Sequence, residues 1–377
     1  MTITKRRGAA LAGVLALALV GAACGGDNSG GSSSATTGAT ATSASGGAAT
    51  TAVSGGGATT TVKVSGTAQG SGSTFQLAFQ QEAIDAFQKA NGGTTITYGG
   101  GGSGKGRTDL KGKTVDFAGS DSPFSDADKP AEPVLYFPVL LGPITISYKL
   151  SGVDQLQLSP DTIANIFQRA IKTWDDPAIA ADNPGVKLPS TPITVAHRSD
   201  GSGTTDNFTK YLVAAAPNTW TLKSGSTIEW PADTQAGAGN QGVAQIITQT
   251  EGAVGYIDLS DAVGSKLSYA NVKNSSGKYI EPTPDSASAA GDGIKVNADL
   301  TFAAINAPGA DAYPITYQTW VIVYATQADA AKGALVKSYL TYLLNDGQEL
   351  LSDLDYAPLP KSLQEKATAQ LAQIKMG

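Results

Sequence analysis

Four times along this chain a run rich in β-branched or small residues ends in a tip of glycine and hydroxyl residues. The four tips are Ser73-Thr74-Phe75, Gly102-Ser103-Gly104, Ser120-Asp121 and Arg198 to Thr204. That recurrence restricts the fold more than any other feature. Strands alternating with helices argue for α/β layers. In open α/β sheets, ligands bind beyond the carboxyl ends of the strands, where such tips gather. One tip of this kind is ordinary; four point to convergence on a single ligand.

The fourth tip carries the most chemistry. Ile193-Thr194-Val195-Ala196 reads as a strand. Thr204 to Ala216 reads as a helix, with Phe208, Tyr211 and Leu212 on one face and Pro217 as its stop. A helix start has unpaired N–H groups and a partial positive charge, which suits an anion. Ser202 and Thr204 add hydroxyl donors, Gly201 and Gly203 permit close approach of the backbone, and Arg198 offers a planar fork matched to a tetrahedral oxyanion. Asp200 is placed to hold that fork. Taken alone, the same segment also reads as a glycine-rich turn with a solvated arginine.

The remaining elements follow from periodicity and punctuation. A strand begins at Val62-Lys63-Val64, and Gly70 to Phe75 reads as a tight loop. A helix to about Ala90 places Phe75, Phe79, Ala83 and Phe87 on one face. Thr95 to Tyr98 is a strand, Gly99 to Gly106 a glycine loop, and Val115 to Ser120 a third strand. Ser159-Pro160 opens a helix through Arg169, with serine as cap and proline at the first position. Helix is expected over Gly242 to Thr250, strand over Ala253 to Ile257 and Tyr317 to Tyr324, and helices at about 326–345 and 360–375. No repeat of fixed period is present.

The amino end addresses the compartment. Lys5, Arg6 and Arg7 precede an apolar run from Ala9 to Ala23, which ends at the single cysteine, Cys24. That is the layout of a secretory signal peptide over 1–23, too short for a comfortable membrane span. It resembles a bacterial lipoprotein signal, with Gly21 where leucine is usual, so Cys24 is expected to carry a lipid. Residues 24–65, almost wholly Gly, Ser, Ala and Thr beyond the cysteine, are expected to form a flexible tether. The body of about residues 66–377 has room for two ordinary domains. Removing Lys5, Arg6 and Arg7 takes the formal charge from −6 to about −9. An acidic body argues against nucleic acid, so an anionic ligand must be caught by local geometry.

The ordered motifs Gly-Ser-Gly-Ser-Thr-Phe (70–75), Thr-Val-Asp-Phe-Ala-Gly-Ser-Asp (114–121) and His-Arg-Ser-Asp-Gly-Ser-Gly-Thr (197–204), with Gly-Ala-Val-Gly-Tyr (252–256), carry a resemblance. From about Gly66 onward the chain resembles the phosphate-binding proteins that deliver phosphate to ABC importers. The resemblance implies a two-lobed α/β periplasmic-binding fold, type II-like, hinged on two crossing strands with the anion in the cleft. Residues 66–143 and 316–377 would form one lobe and 144–315 the other. It implies phosphate contacts from Thr74, Phe75 (through its backbone N–H), Ser103, Asp121, Arg198, Ser202, Gly203 and Thr204, with Asp200 orienting the arginine. Asp121 would favour an ion that still carries a proton, which sulfate lacks. The implied partners are inorganic phosphate, the permease and ATPase subunits of an ABC transporter, and the membrane through the lipid on Cys24. The location would be the outer face of the cytoplasmic membrane, and no catalysis, cofactor or metal is implied.

Competing chemistries meet specific obstacles. Gly99 to Lys105 matches the start of a nucleotide P-loop, but the eighth position, which must be Ser or Thr, is Gly106. Gly99, Gly101 and Gly104 fit a dinucleotide pattern, a weak match in a chain with 45 glycines, and an exported protein has little access to either nucleotide. A serine or phosphate-ester hydrolase needs a base. The sole histidine, His197, adjoins Arg198 on a strand, so the two side chains should point apart, and His197 reads as packed. Another tetrahedral oxyanion such as sulfate, or a sugar against Trp174, Trp220 or Trp230, remains open, although the tryptophans, Trp320 included, read as core or rim. Lys105 and Arg107 are expected to face solvent.

Overall fold

The computed structural model describes residues 64–377. The expected signal peptide, Cys24 and all but the last two residues of the expected tether lie outside the described residues, as do Val62 and Lys63 of the first expected strand.

The chain opens with β1 (Gly66–Gly72), α1 (Leu77–Ala90), β2 (Thr94–Gly101), α2 (Ser103–Lys111) and β3 (Phe117–Ser120). Parallel strands need crossover connections, which the helices supply, and β1 pairs in parallel with both β2 and β3. The long β4 (Val134–Tyr148) follows, then β5 (Gln157–Leu158), α3 (Pro160–Phe167) and α4 (Pro177–Asp182). A second α/β run comprises β6 (Thr194–Arg198), α5 (Gly203–Ala215), β7 (Gln235–Gly237), α6 (Gly239–Gln249), β8 (Ala253–Asp258) and α7 (Leu259–Gly264). Short strands β9 (Ser268–Tyr269), β10 (Asn271–Lys273) and β11 (Tyr279–Ile280) lead to α8 (Pro284–Gly291). The chain then returns through β12 (Thr316–Tyr324), β13 (Thr326–Gln327), α9 (Ala330–Leu344), α10 (Lys361–Gln370) and β14 (Lys375–Met376).

The main sheet runs β2-β1-β3-β12-β4-β8-β6-β7. Its organising element is β4, buried without interruption from Tyr136 to Tyr148, as befits a strand covered on both faces. Between Pro143 and Ile144 this strand changes partner. Val134 to Pro143 pair antiparallel with β12, and Ile144 to Tyr148 pair antiparallel with β8. β3 is antiparallel to β12 and therefore runs with β4, whereas β8 and its parallel neighbour β6 run against it. The carboxyl ends of β1–β3 and of β6–β8 consequently point at the middle of β4 from opposite directions.

Packing explains the helices. Phe79, Ala83, Ile84 and Phe87 of α1 are buried, and Phe87 meets Tyr339 of α9 edge-on at 5.3 Å between ring centres. Ser159 caps α3 by accepting from the Thr162 N–H, with Pro160 in the first turn. Trp174, Trp220 and Trp320 are buried in the core, while Trp230 is partly buried against it.

Several boundaries differ from expectation. Gly70–Gly72 is strand rather than loop, and Gly99–Gly101 likewise extends β2. Glycine weakens a strand in isolation, but here its lack of a side chain makes room: a Cβ on Gly70 would lie 2.2 Å from the Phe117 ring. The rest of the expected glycine loop, Ser103 to Gly106, is already helix. The third strand starts at Phe117, because Asp116 instead accepts from the Gln69 N–H at 2.8 Å. The helix expected from 242 begins at Gly239. The one expected from 326 begins after Asp329 caps it, Thr326–Gln327 being strand. The final helix stops at Gln370, tightens into a 3-10 turn, and Lys375–Met376 pairs with β13.

Gly72 closes the packing beneath the site. Its φ is +132°, and a Cβ there would fall 2.1 Å from the Gly119 carbonyl oxygen and 3.0 Å from the Gly106 Cα. Gly72→Ala should therefore cost at least about 2 kcal/mol, because neither backbone can yield. Urea unfolding of the protein checks this; a loss below about 0.5 kcal/mol, ordinary for a surface change, would contradict the packing.

Candidate functional site

Asp121 stands at the end of β3, only 2% exposed. Its Oδ1 accepts from Ser73 Oγ and from Thr319 Oγ1 at 2.7 Å, and its Oδ2 accepts from Ser103 Oγ at 3.0 Å. Gln76 Nε2 donates to Thr319 Oγ1 at 2.6 Å, which leaves the threonine hydroxyl hydrogen to face Asp121. Burial raises the Asp121 pKa above the ordinary value, although the bonds from Ser73, Thr319 and Ser103 and the charge of Arg198 oppose the rise.

Arg198 ends β6 with a side chain 1% exposed. Its Nε and Nη2 donate side-on to Asp200 at 2.8 and 2.5 Å, and Nη1 donates to Asn240 Oδ1 at 2.7 Å. Burial works against the charged form of Asp200. The bonds and charge of Arg198, with the Gly239 N–H, outweigh it and hold that carboxyl below its usual value. Ser202 caps α5 by accepting from the Thr205 N–H at 3.1 Å, so its own hydroxyl hydrogen remains available to donate. Gly203 lies against the opposite tips: a Cβ there would fall 2.5 Å from both Asp121 Oδ2 and Ser103 Oγ. Thr204 Oγ1 lies 3.4 Å from Arg198 Nη1.

Thr74 joins the same cluster by accepting from the Asn240 N–H at 3.3 Å. The Phe75 N–H donates to Ser73 Oγ at 3.1 Å, its carbonyl accepts from Tyr356 Oη at 2.6 Å, and its ring stacks on Tyr317 at 3.9 Å. The fold thus brings Thr74, Phe75, Ser103, Asp121, Arg198, Ser202, Gly203 and Thr204 to one place, with Asp200 behind the arginine. The arrangement offers hydroxyl and backbone donors, one arginine fork and one carboxylate acceptor, which is chemistry for a small, partly protonated oxyanion.

Lys105 and Arg107 part company. Lys105 is exposed and pairs with Asp109, as expected of a solvated charge. Arg107, expected in solvent, is half-buried instead: its Nη1 donates to Ser120 Oγ at 2.9 Å and to the Ser122 carbonyl at 3.2 Å, pinning the turn that carries Asp121. Burial lowers its pKa, against the opposing charges of Asp206 and Asp121. His197 stacks on Trp230 at 4.9 Å and bonds to the Arg198 carbonyl and to Thr234, beside a cavity of about 410 Å³. Burial lowers its pKa, against the opposing bond to the Arg198 carbonyl, and the ring is packed as expected.

Sequence reasoning placed Ser73 in a tip without giving it a role, and missed Thr319, Asn207, Asn240, Asp258 and Tyr317. Asn207 Nδ2 donates to the Asp121 carbonyl at 2.8 Å. Asn240 Nδ2 donates to Asp258, which also caps α7. The Tyr317 hydroxyl is buried with no partner among the described residues, the kind of orphan that a ligand or water satisfies. Asn240 left a readable signal, since Gly239-Asn240 opens α6 one residue after β7 ends. Among the described residues no group of three or more His, Cys, Asp or Glu is placed to hold a metal ion, and no helix is long and apolar enough to cross a membrane.

A family model described as a PBP superfamily domain matches residues 29–347. The phosphate-binding protein PstS of Xylella fastidiosa is 34% identical over 317 residues, covering 82% of this chain and 85% of the relative. The phosphate-binding protein PstS 2 of Mycobacterium tuberculosis is 35% identical over 388 residues, covering 98% and 99%. The fold is similar to that of a high-affinity periplasmic phosphate-binding protein bound with phosphate, with a TM-score of 0.68 and 23% identity over 81% of this chain and 94% of the other. A phosphate-binding protein from Stenotrophomonas maltophilia gives a TM-score of 0.65 at 19% identity, over 81% and 93%. At those identities the structural likeness is one of fold.

The buried carboxyl of Asp258 generates a pH prediction. Burial first, and then the charge of Asp261, push its pKa well above the ordinary 3.8. Its favourable contribution is therefore complete below about pH 4 and is lost as pH rises through the folded-state value. In phosphate-free urea titrations, the wild type should lose stability relative to Asp258→Asn as pH rises above about 4. Parallel pH profiles for the two chains would show that Asp258 titrates normally.

Proposed function

We infer function from family and geometry together: the chain belongs to the PBP superfamily and, within it, to the phosphate-binding proteins represented by PstS. It binds inorganic phosphate outside the cytoplasm and delivers it to the permease of an ABC importer. The reading is carried by one observation above others, the meeting of Asp121 with the start of α5 and the Arg198 fork in a buried, donor-rich junction. Hydroxyls of Thr74, Ser103, Ser202 and Thr204, the N–H groups of Phe75 and Gly203, and Arg198 would hold the phosphate oxygens. Ser103 turns from Asp121 to the anion, and Asp121 Oδ2 then accepts a hydrogen bond from the oxygen on which phosphate retains its proton. Charge-assisted bonds contribute about 1.5–3 kcal/mol each, so a small surplus reaches the roughly −8 kcal/mol of micromolar binding.

Residues 66–143 with 316–377, and 144–315, act as two lobes hinged where β4 changes partner. At that point the Ile144 N–H also donates to the Ile315 carbonyl at 2.8 Å. The two halves meet through Gly104 N–H to the Gly201 carbonyl at 2.8 Å, Ser122 Oγ to Asp206 at 2.5 Å, and Asn240 N–H to Thr74. These polar contacts belong to a closed cleft, and their rupture would open it for uptake and release. Lipid on Cys24 would keep the receptor beside its permease and ATPase subunits. A binder of this kind needs no turnover, and phosphate esters or ATP should yield no phosphate above background.

Calorimetry on the exported chain should register phosphate binding at micromolar ligand; silence at millimolar phosphate would end this reading. Arg198→Lys keeps the charge but loses the fork, and should weaken binding by about 1–3 kcal/mol. Unchanged affinity would make Arg198 a structural residue only.

Sulfate has no proton for Asp121, so in a dry junction it meets a like charge at a cost of several kcal/mol. The wild type should ignore sulfate at concentrations that saturate phosphate, and Asp121→Asn should keep measurable phosphate binding while losing part of that discrimination. Competition calorimetry decides: equal affinity of the wild type for both anions would reduce Asp121 to a turn cap.

A further inference from the structure

The five N–H donors of Arg198 can be traced individually. Nε and one donor of Nη2 go to the two oxygens of Asp200, and one donor of Nη1 goes to Asn240 Oδ1 at 2.7 Å. One N–H on each terminal nitrogen is left over, apart from the 3.4 Å approach of Nη1 to Thr204 Oγ1, which is long enough to yield to a stronger acceptor. That residual pair is what a tetrahedral oxyanion can engage, provided the guanidinium cannot swing.

Asp200 grips one edge of the guanidinium, and Asn240 grips the other. Asn240 is fully buried in the first turn of α6, and its amide can face either way unless something orients it. Asp258 supplies that orientation: its Oδ2 accepts from Asn240 Nδ2, which leaves Oδ1 toward Arg198. Asp258 is fixed in turn as the cap of α7, where its Oδ1 accepts from the Asp261 N–H at 2.9 Å. A reversed amide would set N–H groups against the guanidinium and leave the arginine held on one side only. The hydrogen bonds of the Asn240 side chain, to Arg198, Asp258 and, at 3.4 Å, from Thr204 Oγ1, stay within its own lobe, and the bond to Thr74 uses its backbone N–H.

We infer that Asn240 is a positioning residue for the bound anion, gripping Arg198 opposite Asp200, and that Asp258 acts through it by fixing the amide. The inference rests on the phosphate reading of the site. Truncation to alanine leaves the closure contact of the Asn240 backbone intact, so the loss falls on the geometry of the fork and on the lifetime of the complex.

The test is phosphate binding by calorimetry and stopped-flow, with thermal unfolding as the control for folding. Asn240→Ala should weaken phosphate binding by about tenfold, mainly through faster dissociation. In an Arg198→Lys background the same substitution should have less than about a twofold further effect, since there is no fork left to position. Asn240→Asp alone sets a second carboxylate against Asp258 and should bind poorly. Combined with Asp258→Asn it restores an acceptor toward Arg198 and a donor between the two side chains, and affinity should return to within about threefold of wild type. If Asn240→Ala does not fold, that exchanged pair against its single parent gives the same decision. Additive losses with Arg198→Lys, or no recovery in the exchanged pair, would overturn the inference. A wild type that fails to bind phosphate would instead overturn the functional reading beneath it.

Discussion

A small dehydrated anion must be met by donors from every side, and this protein satisfies that requirement through one strand. β4 changes partner between Pro143 and Ile144, so strands running with it and strands running against it aim their carboxyl ends at its midpoint. The parallel crossovers then place Ser73-Thr74-Phe75, Ser103 and Asp121 on one side, and Arg198, Ser202 to Thr204 and Asn240 on the other. Each of these elements could be an ordinary α/β unit elsewhere. Their opposition across β4 turns two sets of strand ends into a single enclosure.

The electrostatics follow from that enclosure. The chain is acidic overall, so long-range attraction cannot gather an anion. Arg198 is the one arginine in the junction and is itself paired with Asp200. Most of the stabilisation for an oxyanion must come from hydroxyls and from the start of α5, whose dipole and N–H groups need no counterion. Asp121 would then impose a condition that donors alone cannot, because an ionised carboxylate in the junction can accept a hydrogen bond only from an oxygen that carries a proton. Arg107, behind Ser120 and Ser122, keeps this carboxylate in register without reaching the junction through its own bonds.

The contacts that join the loop tips across the cleft are polar. Gly104 to Gly201, Ser122 to Asp206, Asn207 to the Asp121 carbonyl and Asn240 to Thr74 are each worth about 1 kcal/mol net. A cleft sealed by greasy side chains would resist opening. One sealed by hydrogen bonds that water can replace opens at little cost, which suits a receptor that must surrender its cargo.

The amino-acid sequence determined the parts. β-branched runs, caps such as Ser159 and the glycine-hydroxyl tips located most strands and helices, because these are local preferences of backbone and side chain. The ordered motifs at 70–75, 114–121 and 197–204 were legible for the same reason, and the fold gathers the residues they nominate. Tertiary structure decided what local preference could not. Gly70–Gly72 and Gly99–Gly101 became strand because neighbouring strands supplied pairing and Phe117 needed the space. Arg107 left solvent because the turn after β3 offered it acceptors. Thr319 and Asn240 are remote in sequence from the motifs, Asp258 lies two residues past the one at 252–256, and all three side chains are common in any core or turn. They acquired a role only when β12, α6 and α7 were laid beside Asp121 and Arg198, since a hydrogen bond depends on distance in space rather than on position along the chain.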